Sequence, residues 1–133
     1  MSTGSARRYR FPRLWQVLGW IMVLAIVIGS LLPSKMLEPV LPDWNDKLIH
    51  IVAYGIVMFW FSMLDRALRR QALWALGFVA MGVAIEFAQR ATGYRDFEIA
   101  DMVADAIGVA LGWVLAHTPA AGALEWVERR IRG

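Results

Sequence analysis

Ionisable side chains occur in this sequence at positions where long apolar segments would ordinarily carry none. One apolar segment ends in Glu86 and Gln89, and the next begins with Asp101 and Asp105. Charged groups are costly within a bilayer, so they normally pair with one another, line a wet cavity or take part in chemistry. This pattern therefore predicts a polar site where the ends of membrane-spanning helices meet.

The residue types at this site suit more than one kind of chemistry. Acidic and basic side chains together can bind a polar headgroup. The candidate ligand-binding residues are Asp46, Lys47, His50, Glu86, Gln89, Arg95, Asp101 and Asp105. Carboxylates with one imidazole also suit Mg²⁺, Mn²⁺ or Zn²⁺, and the candidate metal ligands are His50, Glu86, Asp101 and Asp105, together with Asp46. Candidates for a general acid or base are Glu86, Asp105 and His50. No catalytic residue is assigned, because no nucleophile elbow or phosphate-binding loop is present, and no motif requires a cofactor.

Helical spacing places these residues on shared faces. Asp46 and His50 are four residues apart and therefore lie on one face of a helix. A second stripe, at i, i+4, i+7 and i+11, contains Asp101, Asp105, Gly108 and Gly112. Glycines in such stripes let helix backbones approach closely, so the predicted helix-packing positions are Gly82, Gly108 and Gly112. The acidic stripe should face a neighbouring helix, and the G-x-x-x-G pair suits packing within one chain or in a homo-oligomer equally well.

Four apolar segments provide the elements that position the site. The chain has 133 residues, of which 59% are hydrophobic and 19% charged, so it is more apolar than a typical soluble domain. Each segment is close to the roughly 20 residues that span a bilayer, and the predicted spans are 14–32, 46–64, 72–89 and 99–117. The predicted fold class is all-α, a four-helix transmembrane bundle with a short C-terminal amphipathic interfacial helix.

The basic residues predict how the chain is oriented. Residues 1–13 are predicted to be a disordered basic cytoplasmic arm, 14–118 the membrane domain and 119–133 an amphipathic cytoplasmic tail. Arginines concentrate in the arm, in the 65–71 connector and in the tail, and basic segments tend to stay in the cytoplasm. We therefore expect a multi-pass protein of the bacterial inner membrane, with both termini cytoplasmic and the polar residues on the extracytoplasmic side.

The same patterns predict which way two groups of side chains face. The aromatic-rich run Tyr54–Phe61 is expected to face lipid. In the tail, Leu124 and Val127 would lie on an apolar face, and Glu128 would lie mostly on the opposite, polar face.

Composition excludes several classes of function. The sequence contains no cysteine, so disulfides, thiolate nucleophiles and cysteine-based zinc sites are ruled out. The formal net charge of +3 comes from arginines at segment ends, without any groove-reading motif, so nucleic acid is not an expected partner. Membrane lipids are the expected partners.

The residues at the helix ends together resemble the VanZ-like family of small membrane proteins. The resemblance rests on Asp46-Lys47-x-x-His50 with Tyr54, on Glu86-x-x-Gln89, and on Arg95-x5-Asp101-x3-Asp105-x2-Gly108-x3-Gly112. It covers residues 43–115, and the family often has asparagine where this chain has Asp105. The resemblance implies an integral membrane protein of the cell envelope. The protein that gives the family its name is linked to resistance to teicoplanin, a lipid-tailed glycopeptide, which makes a glycopeptide a candidate ligand.

Two functions from different classes are open at this point. The first is an outward-facing acidic pocket that binds a lipid headgroup or amphiphile, with the tail against apolar walls. The second is a membrane-embedded enzyme, metal-assisted in one form, that acts on an envelope lipid or glycan carrier. The same residues also suit a structural role, with Glu86 and Arg95 as an ion pair and Asp46, Lys47 and Asp101 as helix caps. Proton-coupled transport is disfavoured because no second polar site is expected at the inner end.

Overall fold

A computed structural model gives the fold and describes residues 9–41, 45–94 and 97–132. These residues form helices and no β-strand, so the predicted all-α class is confirmed. In chain order the elements are α1 (Pro12–Leu31), α2 (Ser34–Leu37), α3 (Asp46–Leu64), α4 (Leu68–Thr92), α5 (Ile99–Leu115), a 3₁₀ turn (Pro119–Gly122) and α6 (Ala123–Ile131). Each predicted span is a helix, although α4 begins at Leu68 instead of residue 72 and α5 ends at Leu115 instead of residue 117.

Length and composition make three of these helices candidate membrane spans. Helices α1, α3 and α4 contain 20, 19 and 25 residues and are apolar enough to cross a bilayer. Helix α5 has 17 residues, which is the lower end of the range for a span. It qualifies together with the segment Pro119–Ile131, which is bent from it by 77°. The chain therefore has three to four candidate spans, and the predicted bundle with a short C-terminal helix is confirmed.

Helices α3 and α5 pack with their backbones in contact. A Cβ atom added at Gly112 would overlap the carbonyl oxygen of Gly55, and one added at Gly108 would overlap that of Ile51. Glycine is therefore required on α5 for the two helices to approach this closely. We call the contact of Gly108 and Gly112 with Ile51 and Gly55 the glycine contact. In this contact, the G-x-x-x-G pair packs two helices of the same chain against each other.

Helix α3 lies at the centre of the bundle, in contact with α1, α4 and α5. The run 54–61 contributes several core side chains that are at most 3% exposed, namely Tyr54, Val57, Met58 and Phe61. Phe61 stacks on Trp74 of α4 with ring centroids 4.5 Å apart. The expectation that this run faces lipid is wrong, because three helices surround α3 and leave little of its surface uncovered.

A buried carboxylate joins the tail to the start of α1. Glu128 is 7% exposed and accepts hydrogen bonds from the backbone N–H groups of Arg10 and Phe11, at 2.9 and 3.1 Å. It also accepts a hydrogen bond from Nε1 of Trp15 at 2.7 Å. A negative charge therefore lies at the N-terminus of α1, whose own N-cap residue supplies no side-chain bond. The prediction that Glu128 lies on the polar face of α6 is wrong, because capping α1 turns that face inward.

A second buried polar network, which was not expected from the sequence, lies at this same end of the bundle. Gln71 is fully buried, donates to the carbonyl oxygen of Ser62 at 3.1 Å and accepts from Nε1 of Trp113 at 3.0 Å. Arg66 donates to the carbonyl oxygen of Ala116 at 2.9 Å. These bonds satisfy carbonyl groups at the C-terminal ends of α3 and α5 that have no partner within their helices. The network therefore has a structural role.

Replacing Gly112 by alanine should destabilise the bundle, because the added Cβ would overlap the backbone of Gly55 and force α3 and α5 apart. Overpacking of this kind costs about 1–3 kcal/mol. Gly77 is the matched control, since a Cβ there meets nothing within 4 Å and alanine is the better helix former. Thermal unfolding in nanodiscs would measure both variants. A Gly112→Ala protein as stable as Gly77→Ala would contradict the close backbone contact.

The contact between Glu128 and α1 should make stability depend on pH. Burial raises the pKa of Glu128, but the hydrogen bonds from Arg10, Trp15 and Phe11 outweigh it and hold the pKa below its ordinary 4.5. A carboxyl group with a lowered pKa stabilises the fold fully above its ordinary pKa, and this contribution is lost as the pH falls through the lowered value. Glu128→Gln should therefore lower the melting temperature at neutral pH and match the wild type in acid.

Melting curves at about pH 7 and at successively lower pH would measure this difference, which should correspond to about 1–3 kcal/mol at neutral pH. Glu38→Gln serves as the control, because Glu38 is exposed and lies in the segment between α1 and α3. A difference between Glu128→Gln and wild type that persists unchanged in acid would show that the charge of Glu128 is not what stabilises the tail.

Candidate functional site

Polar residues of α3, α4 and α5 meet at the end of the bundle opposite the tail. The first turns of α3 carry Asp46, Lys47 and His50, and those of α5 carry Asp101 and Asp105. The glycine contact holds the two helices together, so these side chains meet across the helix interface. We use the name polar cluster for the set Asp46, Lys47, His50, Glu86, Glu98, Asp101 and Asp105.

Lys47 is the cationic centre of the polar cluster. Its ammonium group contacts the carboxylates of Glu98 and Asp101 and lies 3.4 Å from that of Asp46. The side chain of Asn45 caps α3 by accepting a hydrogen bond from the backbone N–H of Lys47 at 2.9 Å. One lysine therefore links the first turn of α3 to the first turn of α5.

His50 and Asp105 form a hydrogen-bonded pair across the same interface. Nδ1 of His50 lies 2.7 Å from a carboxylate oxygen of Asp105. A carboxylate only accepts hydrogen bonds, so this geometry favours a proton on Nδ1. The other ring nitrogen, Nε2, faces the carboxylates of Asp101 at 3.8 Å and Asp46 at 4.0 Å, beyond hydrogen-bond distance. Nε2 is therefore positioned to exchange a proton or to contact a ligand.

Exposure falls stepwise from the mouth of the polar cluster to its floor. The exposed fraction of the side chain is 65% for Asp46, 13% for His50, 8% for Asp101 and 4% for Asp105. Gly82 of α4 forms part of the floor, because the carboxylate of Asp105 occupies the space that a side chain at Gly82 would need. The cluster therefore opens to the surface at Asp46 and narrows toward Asp105.

Glu86 joins α4 to the start of α5. It is 1% exposed, and its Oε1 accepts a hydrogen bond from the backbone N–H of Glu98 at 2.6 Å. Glu98 is the N-cap residue of α5, and its own side chain makes no capping bond. The carboxylate of Glu86 therefore satisfies a backbone donor at a helix N-terminus, where negative charge is also favoured.

The structure does not bring every predicted site residue into the polar cluster. Gln89 is 1% exposed, but its Nε2 donates to the carbonyl oxygen of Ser30 at 2.7 Å and ties α4 to α1. Arg95 lies outside the described residues, as does the ion pair expected between it and Glu86. Glu98 joins the cluster although it was not a candidate. Its spacing of three residues from Asp101 is the signal that could have identified it.

Three members of the polar cluster are placed where a metal ion could bind. Asp46, His50 and Asp101 each offer one ligand atom, and these atoms lie within 4.8 Å of one another. Asp105 would orient the imidazole ring of His50 in such a site, because carboxylates commonly hold metal-bound histidines through the ring nitrogen that does not bind the metal. Lys47 competes for the carboxylate of Asp101, so its ammonium group would have to move before a cation bound there.

Comparison with known proteins relates the whole membrane region to one family. A family model described as VanZ/LLP1 matches residues 5–120. A protein of Schizosaccharomyces pombe (strain 972 / ATCC 24843), named uncharacterized protein C11E3.10, is 34% identical over 99 residues, which make up 70% of this chain and 61% of the relative. This chain therefore spans less than two-thirds of that relative's length. No solved structure matches the chain.

The family match includes the four apolar segments and every member of the polar cluster. It agrees with the resemblance at the helix ends and with the three to four candidate spans. This chain is a multi-pass membrane protein that belongs to the VanZ/LLP1 family.

Proposed function

We propose that this protein binds the hydroxylated or cationic headgroup of an envelope lipid or similar amphiphile in the polar cluster. The observation that carries the proposal is the imbalance of charge in the cluster. Among the described residues, one lysine and one histidine accompany five carboxylates, those of Asp46, Glu86, Glu98, Asp101 and Asp105. An excess of acceptors at the ends of membrane helices favours a ligand that supplies hydrogen-bond donors or positive charge.

The geometry supports entry of such a headgroup beside Asp46, the most exposed member of the cluster. From there a donor group would reach Nε2 of His50 and the carboxylate of Asp101, which lie 3.8 Å apart, beyond hydrogen-bond distance. Leu48 and Val103, in the same turns of α3 and α5, are 45% and 52% exposed. An acyl tail would pack against such apolar side chains while the headgroup occupied the polar cluster.

We propose further that the polar cluster lies on the extracytoplasmic side of a bacterial inner membrane, with both termini in the cytoplasm. Arginines at the opposite end of the bundle support this orientation, since basic segments tend to remain inside. The hydrogen bond that Glu128 accepts from the backbone N–H of Arg10 keeps the tail beside the start of α1, at that basic end. The protein would then act in resistance to lipid-tailed glycopeptides such as teicoplanin or in envelope maintenance.

Asp101→Asn should weaken ligand binding about tenfold or more. The substitution keeps the size of the side chain but removes a charged acceptor from the wall of the site, and a hydrogen bond to a charged group contributes about 1.5–3 kcal/mol. Fluorescently labelled teicoplanin and labelled phosphatidylethanolamine, titrated with the protein in nanodiscs, would provide the two binding curves.

Glu38→Gln is the matched control for this experiment, since it removes one exposed negative charge outside the polar cluster. Melting curves would show that both variants fold. Equal affinities for Asp101→Asn, Glu38→Gln and wild type with both probes, in folded proteins, would reject the polar cluster as the binding site.

A membrane-embedded, metal-assisted enzyme acting on an envelope lipid or glycan carrier is the second candidate function. The specific observation that favours it is the convergence of ligand atoms from Asp46, His50 and Asp101. A divalent cation held there by oxygen and imidazole ligands would polarise a phosphoryl or carbonyl oxygen of the substrate. Glu86 and Asp105 would then serve as the nearby candidates for a general base.

Manganese binding would test this second candidate directly. Mn²⁺ should bind the wild-type protein, and His50→Gln should weaken binding by tenfold or more, because it removes a ligand. Lys47→Gln should strengthen binding, since the ammonium group competes for Asp101. Electron paramagnetic resonance of free Mn²⁺ would measure both, with Asp65→Asn, at the other end of α3, as the control. If neither the wild type nor Lys47→Gln binds Mn²⁺, a metal-assisted enzyme is ruled out as the second candidate function.

A further inference from the structure

A groove lies at the end of the bundle opposite the polar cluster, where α5, the 3₁₀ turn and α6 change direction. Its volume is about 450 Å³, within the range of sites that hold small ligands. The walls are mainly apolar, and the lining residues include Phe59, Leu115, Ala120, Ala123, Trp126 and Arg129. The 77° bend between α5 and the segment that follows opens this space beside α3.

Arg129 is the charged residue in the lining of the groove. Among the described residues, no ion-pair partner is found for Arg129, whereas Arg70, near the start of α4, pairs with Asp65 at 3.4 Å. The guanidinium group of Arg130 lies 5.0 Å from the ring centroid of Trp126, which is itself 52% exposed. Glu128 does not offset this charge at the surface, because it is turned inward to cap α1.

We propose that the groove binds one anionic glycerophospholipid from the leaflet next to the termini. An acyl chain would lie against Phe59 and Leu115, and the phosphate would lie on Arg129. Three observations fit this ligand together. The walls are apolar, the lining includes Arg129, for which the described residues provide no ion-pair partner, and α6 is amphipathic with two arginines in its last turn, as in a helix that lies in the interface. Tryptophan and arginine at one level are also typical of the membrane–water boundary.

This inference is independent of the ligand proposed for the polar cluster. Only its assignment to the cytoplasmic leaflet rests on the proposed orientation, because that leaflet carries the anionic lipids. The groove is lined by residues near the C-terminal ends of α3 and α5, whereas the polar cluster lies at their N-terminal ends. Substitutions at one end can therefore be tested without altering the other, and failure of either proposal leaves the other standing.

The charge of Arg129 should decide the preference for anionic lipid. Native mass spectrometry of the full chain, titrated with phosphatidylglycerol or phosphatidylcholine of matched acyl chains, would count bound lipids and their affinities. Arg129→Gln should reduce the preference for phosphatidylglycerol about fivefold, the usual effect of one basic residue at a membrane surface. Arg69→Gln is the matched control, because Arg69 is exposed near the start of α4 and does not line the groove. Equal preferences in the two variants would overturn the role of Arg129.

Filling the groove should remove the bound lipid whatever its charge. Gly122 lines the groove, a Cβ there meets nothing within 4 Å, and its φ of −83° is open to any side chain, so Gly122→Leu would add bulk to the lining without strain. Gly77→Leu, equally unobstructed in the middle of α4, is the control. Loss of the most tightly bound lipid in Gly122→Leu, but not in Gly77→Leu, would support the site. Three results would overturn it: retention of the lipid in both variants, displacement of the lipid by glycerol phosphate alone, or binding of a second copy of the chain in place of the lipid.

Discussion

The backbone contact between α3 and α5 is the constraint on which the rest of this structure depends. Gly108 and Gly112 leave no Cβ between the helices, so the carbonyl groups of Ile51 and Gly55 lie directly against α5. Only at this separation can a histidine on one helix reach an aspartate on the other at 2.7 Å. The polar cluster is therefore a consequence of the glycine contact, and widening the contact would separate its ion pairs before it unfolded the bundle.

The two ends of the bundle satisfy their polar groups in different ways. At the tail end, the buried Glu128 accepts from the start of α1 and the buried Gln71 donates to the end of α3, whereas the hydroxyl group of Ser62 has no hydrogen-bond partner within the part of the chain that the structure describes. At the other end, carboxylates outnumber cations among the described residues, and Nε2 of His50 faces two carboxylates at 3.8 and 4.0 Å without a hydrogen bond. A network built for stability alone would resemble the first end, because unpaired charges destabilise a membrane protein.

The sequence predicted the fold class and most of the polar cluster, and the reasons for its errors are physical. Acids and glycines repeated at helical spacing, so the stripe on α5 was visible without a structure. The prediction that the run beginning at Tyr54 faces lipid is wrong because hydropathy cannot separate a lipid-facing helix from one enclosed by other helices. The predictions for Glu128 and Gln89 are incomplete for a related reason. Their partners include backbone groups in or just before α1, and a backbone partner cannot be identified from the pattern of side chains in a sequence.

The internal pairing of the polar cluster also limits what any ligand can do there. Lys47 already contacts Glu98 and Asp101, and His50 already holds Asp105. Among the described members of the cluster, Asp46 is the most exposed, and Nε2 of His50 makes no hydrogen bond. A ligand that merely added charge would compete with Lys47, whereas one that donates hydrogen bonds would use the acceptors that remain. Hydroxyl and amine groups have this property. The arrangement therefore favours recognition of a polar headgroup over the capture of a bare cation, and Lys47 is the residue that sets this preference.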